Sequence, residues 1–239
     1  MLKDYHGTTD LQAASSYGYL PMVRKLLIED HKDVNYFGQD QLKQSPLHYV
    51  ANAKNDPTNV AKLLIKNGAA INAKDDDENT PLYLAAASGN TGIVKLLIEN
   101  GAIIDAQTKY GDTPLMGTIK PSNYVSHTDI ANLLIENGAD INEKTNDMGY
   151  TPLHYAAWAS SADMVKILID EGAKVNITDL WGQTALDIAK RGGLAGTNGE
   201  ENINQELIKK IESKGVITKD DKNDEVDFYE TTTYPDGSV

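Results

Sequence analysis

The chain has 239 residues, with 22 Lys and Arg against 35 Asp and Glu, a formal charge of −13 at pH 7. A field of that sign disfavours nucleic acid and anionic membrane as partners, and no run of about 18 apolar residues suggests a membrane span. The absence of cysteine excludes disulfides and thiolate chemistry. Together with an N-terminal MLKDYHGTTD that lacks the apolar core of a secretory signal, it leads to the expectation of a cytoplasmic protein, with a non-classical export route left open.

In chain order the apolar pattern is that of successive helix pairs. A first, irregular pair falls between Asp4 and Asn35, with Leu11, Ala14, Met22, Val23, Leu26 and Leu27 as its buried pattern. A second runs from about Asp40 to Asn72. The third is the most regular. Thr80 is a good N-cap and Pro81 suits the first helical position. Leu82, Ala85 and Ala86 share one face, where the alanines admit a close neighbour. A polar break at Ser88-Gly89-Asn90 separates this helix from a second one carrying Ile93, Val94, Leu96, Leu97 and Ile98, and Gly101 ends it.

A fourth pair, about Thr108 to Asn142, departs most, with Gly117, Thr118 and Ile119 in the small-residue run and an inter-helix turn, Lys120 to Thr128, that is unusually long. A fifth, about Asn146 to Asn176, returns to the pattern. A sixth begins at Asp179 with a first helix over Thr184 to Arg191, then a Gly/Asn-rich loop, then a final helix over Ile203 to Ser213. The acidic tail from Val216 onward carries Phe228, Tyr229 and Tyr234, which are either part of a floppy terminus or a docking segment.

The Thr/Ser–x–Leu signature recurs at Thr9, Ser45, Thr80, Thr113, Thr151 and Thr184, spaced by 36, 35, 33, 38 and 33 residues. One such unit buries too little to offset the entropy of ordering its backbone, so each needs its neighbours. The matches Ser45-Pro46-Leu47-His48, Thr80-Pro81-Leu82-Tyr83, Thr113-Pro114-Leu115-Met116 and Thr151-Pro152-Leu153-His154, followed by LLIKNGAAIN, LLIENGAIID, LLIENGADIN and ILIDEGAKVN, resemble the ankyrin repeat. That resemblance implies an all-α solenoid of helix–turn–helix repeats with β-hairpin fingers, six repeats including degenerate terminal caps. The expected domains are a solenoid over residues 1–215 and an acidic tail over 216–239.

Chemistry is sparse. His48 and His154 occupy the repeated motif position, and the resemblance implies that they bond structurally between a hairpin and the neighbouring repeat. Ser126-His127-Thr128-Asp129 holds triad residue types, but adjacent residues do not assemble a nucleophile, base and orienter. Asp75-Asp76-Asp77-Glu78 lacks the alternation and turn of a Ca²⁺ loop and reads as a solvated tip. No catalytic residue, metal ligand or cofactor is assigned.

The resemblance implies a non-catalytic scaffold that binds another protein on its finger tips and inner helix face, acting as a monomer. The alternative is a host-directed effector or an inhibitor or immunity-type protein that blocks its partner with the same surface. Within it, Asp76 and Asp77 make an acidic tip, while Tyr110, Met148, Tyr150, Trp158, Leu180 and Trp181 make an apolar, aromatic cluster holding both tryptophans. Exposed contiguous aromatics mark interaction sites, and Trp and Tyr are enriched among interface hot spots. The competing expectation is that Trp158 and Trp181 pack against each other.

Overall fold

In the computed structural model the described residues are 10–37, 42–55, 57–119, 127–191 and 208–213. The long turn at 120–126, the loop and helix start over 192–207, and the tail lie outside them. Eleven helices follow in order: α1 (Asp10–Ser16), α2 (Leu20–Ile28), α3 (Pro46–Ala51), α4 (Thr58–Lys66), α5 (Pro81–Ser88), α6 (Thr91–Glu99), α7 (Pro114–Gly117), α8 (Thr128–Glu136), α9 (Pro152–Trp158), α10 (Ala162–Asp170) and α11 (Ala185–Lys190). Residues 208–213 are also helical. Odd-numbered helices pack on one another in an inner row, α1–α3–α5–α7–α9–α11, and even-numbered ones in an outer row, α2–α4–α6–α8–α10. This is the expected all-α stack of paired helices.

The repeated Thr-Pro-Leu explains the inner row. Thr80, Thr113, Thr151 and Thr184 all sit in extended backbone just before their helices. Each hydroxyl accepts a hydrogen bond from the amide three residues on, at 3.2 Å for Tyr83 and 3.3 Å for Asp187, which satisfies a donor the helix leaves orphaned. Leu47, Leu82, Leu115 and Leu153 are then buried, with Ala51, Ala85, Ala86, Ala156 and Ala157 beside them letting the rows approach. In the outer row the pattern Val60-Ala61-Leu64, Ile93-Val94-Leu97 and Ile130-Ala131-Leu134 points inward, fully buried.

Helix α7 is only four residues long. Thr118 lies just past its end and turns its hydroxyl back onto the Leu115 carbonyl at 2.7 Å. Gly117 faces Tyr83, since a Cβ there would lie 3.3 Å from the ring. The bulky tyrosine at the third repeat's histidine position is thus accommodated by a missing side chain in the fourth.

The fingers take the form of tight turns. Each is closed at its base by a backbone bond, Asp75 N–H to Asn79 O (3.1 Å), Thr108 to Asp112 (3.0 Å), Thr145 to Tyr150 (2.9 Å) and Asp179 to Gln183 (2.9 Å), with a second bond inside the turn back to the carbonyl of the first residue. Among the described residues there is one isolated antiparallel bridge, Thr178 with Thr184. So little chain separates closing bond and helix cap that no ladder can grow.

Neighbouring fingers are bonded to each other instead. Asp76 N–H donates to Leu42 O (2.9 Å), Lys109 to Asp77 (3.0 Å), Asn146 to Tyr110 (2.8 Å) and Leu180 to Met148 (3.0 Å). At the far side of the stack Asn35, Asn72, Asp105 and Asn142 form a second seam. Their side-chain oxygens accept from the amides of Ala70 (2.7 Å), Ile103 (2.9 Å), Asp140 (3.1 and 3.2 Å) and Lys174 (2.8 Å).

The C-terminal end is closed by residues 208–213. Ile211 is buried there, with Lys190–Glu212 (3.0 Å) and Lys210–Asp170 (3.7 Å) ion pairs at the rim.

Candidate functional site

The turn of each finger is held by the side chain of its first residue. Thr108 Oγ1 accepts from the amides of Tyr110 (3.3 Å) and Asp112 (3.2 Å), and Thr145 Oγ1 accepts from Tyr150 (3.0 Å). Asp75 and Asp179 do the same with one carboxylate oxygen. Asp75 Oδ1 takes Asp77 (3.0 Å) and Asn79 (2.9 Å), and Asp179 Oδ1 takes Trp181 (2.9 Å) and Gln183 (2.8 Å). The residues beyond these anchors point outward. Tyr110 is 48% exposed, Met148 37%, Leu180 67% and Trp181 63%. They stand on three successive fingers joined by the Asn146–Tyr110 and Leu180–Met148 amide bonds, so the structure brings these four together as a row.

Tyr150 and Trp158 are placed differently. Tyr150 is half-buried, stacked on His154 (centroids 5.5 Å apart, 19° between planes) and edge-on to Tyr155 (5.5 Å, 76°). Burial, and next the Asp179 charge, push its phenol above the ordinary value. Tyr155 donates its hydroxyl to the buried Asp112 carboxylate at 2.9 Å, and its own pKa is driven far up, by burial first and then by that charge. Trp158 ends α9 and leans against the core. It stands one short helix, roughly 10 Å, from the finger row. Among the described residues Tyr150 makes ring contacts with His154 and Tyr155, and there is no Trp158–Trp181 pair.

The acidic tip is tied down. Asp76 pairs with Lys43 of the preceding finger (3.0 Å), and Asp77 pairs with Lys109 of the following one. Lys109 also lies over the Tyr110 ring, 5.0 Å from its centroid. Its ammonium is held above the usual lysine value, chiefly by the hydrogen bond to Asp77. Both aspartates stitch fingers together.

The histidines behave as the repeat implies. His48 Nδ1 accepts from the Ser45 amide (3.2 Å) while its other nitrogen reaches Asn79 O (3.0 Å). His154 spans Thr151 (3.2 Å) and Gln183 O (3.1 Å) in the same way. An Nδ1 that accepts leaves Nε2 as the N–H that donates to the next finger. Burial holds His154 below the ordinary histidine pKa, which keeps that neutral form.

Asp179 was legible in the sequence only as the start of a repeat. Its second oxygen, Oδ2, is buried and bonds to nothing among the described residues. The corresponding Oδ2 of Asp75 receives amide N–H bonds from Gln44 (2.9 Å) and Asn79 (3.1 Å). The clue lay in those two positions, which become Tyr150 and Gln183 three fingers further on.

A second set of exposed aromatics, Tyr17, Tyr19, Tyr36 and Phe37, lies in the first repeat and the segment after it, away from the finger row. No group of three or more His, Cys, Asp or Glu among the described residues is placed to hold a metal ion, and no described helix is long and apolar enough to cross a membrane.

Comparison with known families places one model on this chain, described as ankyrin repeats (3 copies), over residues 2–75, 47–145, 104–179 and 122–221. A stretch of 84 residues is 42% identical to alpha-latrocrustotoxin-Lt1a of Latrodectus tredecimguttatus. That stretch is 35% of this chain and 6% of the toxin, so the chain spans a small part of that relative's length.

Proposed function

Because the chain belongs to the ankyrin-repeat family, whose repeats generally mediate protein–protein interaction, we propose that it is a non-catalytic module that captures a partner protein on the finger row of its C-terminal half. The observation that carries this reading is the alignment of Tyr110, Met148, Leu180 and Trp181, exposed on three fingers whose backbones are bonded together. Large apolar side chains held outward on a rigid frame lose little entropy on binding and bury much area. Trp181 and Tyr110 are the residue types that dominate interface energetics.

The anchors support specific roles. Leu180 and Trp181 lead, as the two most exposed of the row. Tyr150, wedged between His154 and Tyr155, positions the finger from behind. Asp76 and Asp77 keep the N-terminal fingers in register.

The test is capture of partner by wild type against Leu180→Ala with Trp181→Ala. The double substitution should weaken capture at least about thirtyfold, the equivalent of roughly 2 kcal/mol for a hot spot. The melting temperature should stay near wild type, because both side chains are in water already. Trp158→Ala should do the reverse, lowering the melt more than the capture, since that ring leans on the core. Undiminished capture by the double variant would remove the finger row as the binding surface.

A further inference from the structure

Four fingers need one side-chain oxygen at their first position, and two of them use threonine, which has only one. The second carboxylate oxygen of an aspartate there is surplus to the turn. In Asp75 the surplus oxygen is taken up by Gln44 and Asn79. In Asp179 it is buried and without a partner among the described residues. Leaving such an oxygen unpaired costs free energy that a cation could recover.

The surroundings fit a cation arriving from outside. Tyr150 stands where Gln44 stood, with no amide to offer, and feels the Asp179 charge directly. Trp181, two residues along the same finger, presents a large exposed aromatic surface, and aromatic faces attract guanidinium and ammonium groups. Two cations of this chain act on the residues packed here, Arg191 on Tyr150 and Lys144 on His154. Lys144 donates to the Thr178 carbonyl at 2.8 Å, and Arg191, at the end of α11, makes no ion pair with Asp179 among the described residues. Gln183 bonds Asp179 Oδ1 through its backbone amide, and its half-exposed side chain makes no hydrogen bond among the described residues. The chain as a whole carries −13, so a basic partner is drawn to it from a distance as well.

We propose that Asp179 reads charge on the partner-binding surface: its free carboxylate oxygen takes an arginine or lysine side chain of the bound protein segment, next to apolar residues held by Leu180 and Trp181. This rests on the finger row being the binding surface. It adds what that surface selects, a basic residue within an apolar segment.

The probe is an equimolar mixture of short capped peptides, alike except for one central position, which is Arg, Lys, Gln or Glu with Leu and Phe on either side. Retention on immobilised full-length protein is read by mass spectrometry. Wild type should retain the Arg and Lys peptides about tenfold over Gln and Glu. Asp179→Asn keeps the Oδ1 acceptor for the turn and should retain all four peptides about equally, while melting no lower than wild type. Asp179→Thr, copying the neighbouring fingers, is the second variant should the first fold poorly. Asp163→Asn, an exposed acid at the start of α10, removes the same charge elsewhere and should leave the preference intact. Equal retention of the four peptides by wild type, or an unchanged preference in both Asp179 variants, overturns the proposal while the finger row stands. If no peptide is retained, or if Leu180→Ala with Trp181→Ala retains them like wild type, the proposed binding surface falls as well.

Discussion

Asp105 is a single-atom exception in the rear seam. Asn35 and Asn72 each accept an amide with their oxygen and donate with their nitrogen, to Gly68 O (3.0 Å) and Gly101 O (3.1 Å). The Asp105 carboxylate only accepts, from the amide of Asp140. Burial, opposed by that amide and reinforced by the Asp140 charge, raises its pKa above the ordinary 3.8. A folded pKa above the unfolded one means that the folded state binds the proton more tightly, so stability falls as pH rises from 3.8 through the raised value. Asp105→Asn should therefore stabilise the protein at neutral pH by about 1 kcal/mol, the net worth of one added hydrogen bond, or roughly 2–4 °C in Tm for a chain of this size. The gain should shrink below pH 3.8, where the aspartic acid is protonated and can itself donate. A neutral-pH melt that does not rise would show that the carboxylate is fully hydrated in the seam.

At the scale of elements, the fingers are where backbone approaches backbone. Gly111 has φ +83°, and a Cβ there would meet the Asn146 amide nitrogen at 2.5 Å, on the bond that joins the fourth and fifth fingers. Gly101, past the end of α6, has the same φ of +83° with nothing within 4 Å. The two are a matched pair. Gly101→Ala should cost about 1–2 kcal/mol for the left-handed conformation alone. Gly111→Ala should cost more, because the clash is with backbone and no side chain can swing clear. Equilibrium denaturation of both variants checks this, and equal losses would mean that the finger junction gives way without cost. Helix α7 makes the complementary point about the inner row: its four residues suffice because the cap at Thr113 and the buried Leu115, Met116 and Ile119 do the packing of a longer helix.

For the whole molecule, exposed ion pairs compete with net repulsion. Lys43–Asp76, Lys74–Glu78 (2.7 Å), Lys190–Glu212 and Lys210–Asp170 all have substantially solvated side chains, and such pairs contribute little each. The excess of 35 acids over 22 bases is the larger effect. Salt screens both, over a Debye length of about 8–10 Å near physiological strength, so raising NaCl from low to about 0.3 M should raise Tm. A fall would mean that the finger-to-finger pairs outweigh the repulsion. Most of this architecture was legible in the sequence because helix caps, apolar faces and glycine stops are local signals repeated in register. The site was legible in part. Tyr110, Met148, Leu180 and Trp181 lie where finger spacing puts them, whereas the half-burial of Tyr150 and Trp158 depends on rings and a core brought in from other segments. The lysines that neutralise Asp76 and Asp77 sit one repeat away on either side, and the unpaired oxygen of Asp179 follows from neighbours nearly thirty residues back. Through-space partners of that kind show up only when the repeats are stacked.

The bonds between fingers all run one way, from an amide of the later finger to a carbonyl of the earlier. Each junction thus has the same outgoing and incoming chemistry whatever its place in the series. Excising Thr80 to Asp112, one period, would leave the finger closed by Asp75 and Asn79 leading into Thr113, and would offer the Asp77 carbonyl to the Asn146 amide in place of the lost Lys109. A gene that duplicates or drops whole periods therefore meets a compatible joint each time. Changes of a few residues are absorbed in the turns between paired helices and in the fingers, as the spacings of 33 to 38 residues and the longer Thr145–Tyr150 finger already record. Lineages of such proteins can change length in steps of a repeat, while the few outward residues on each finger are free to diverge.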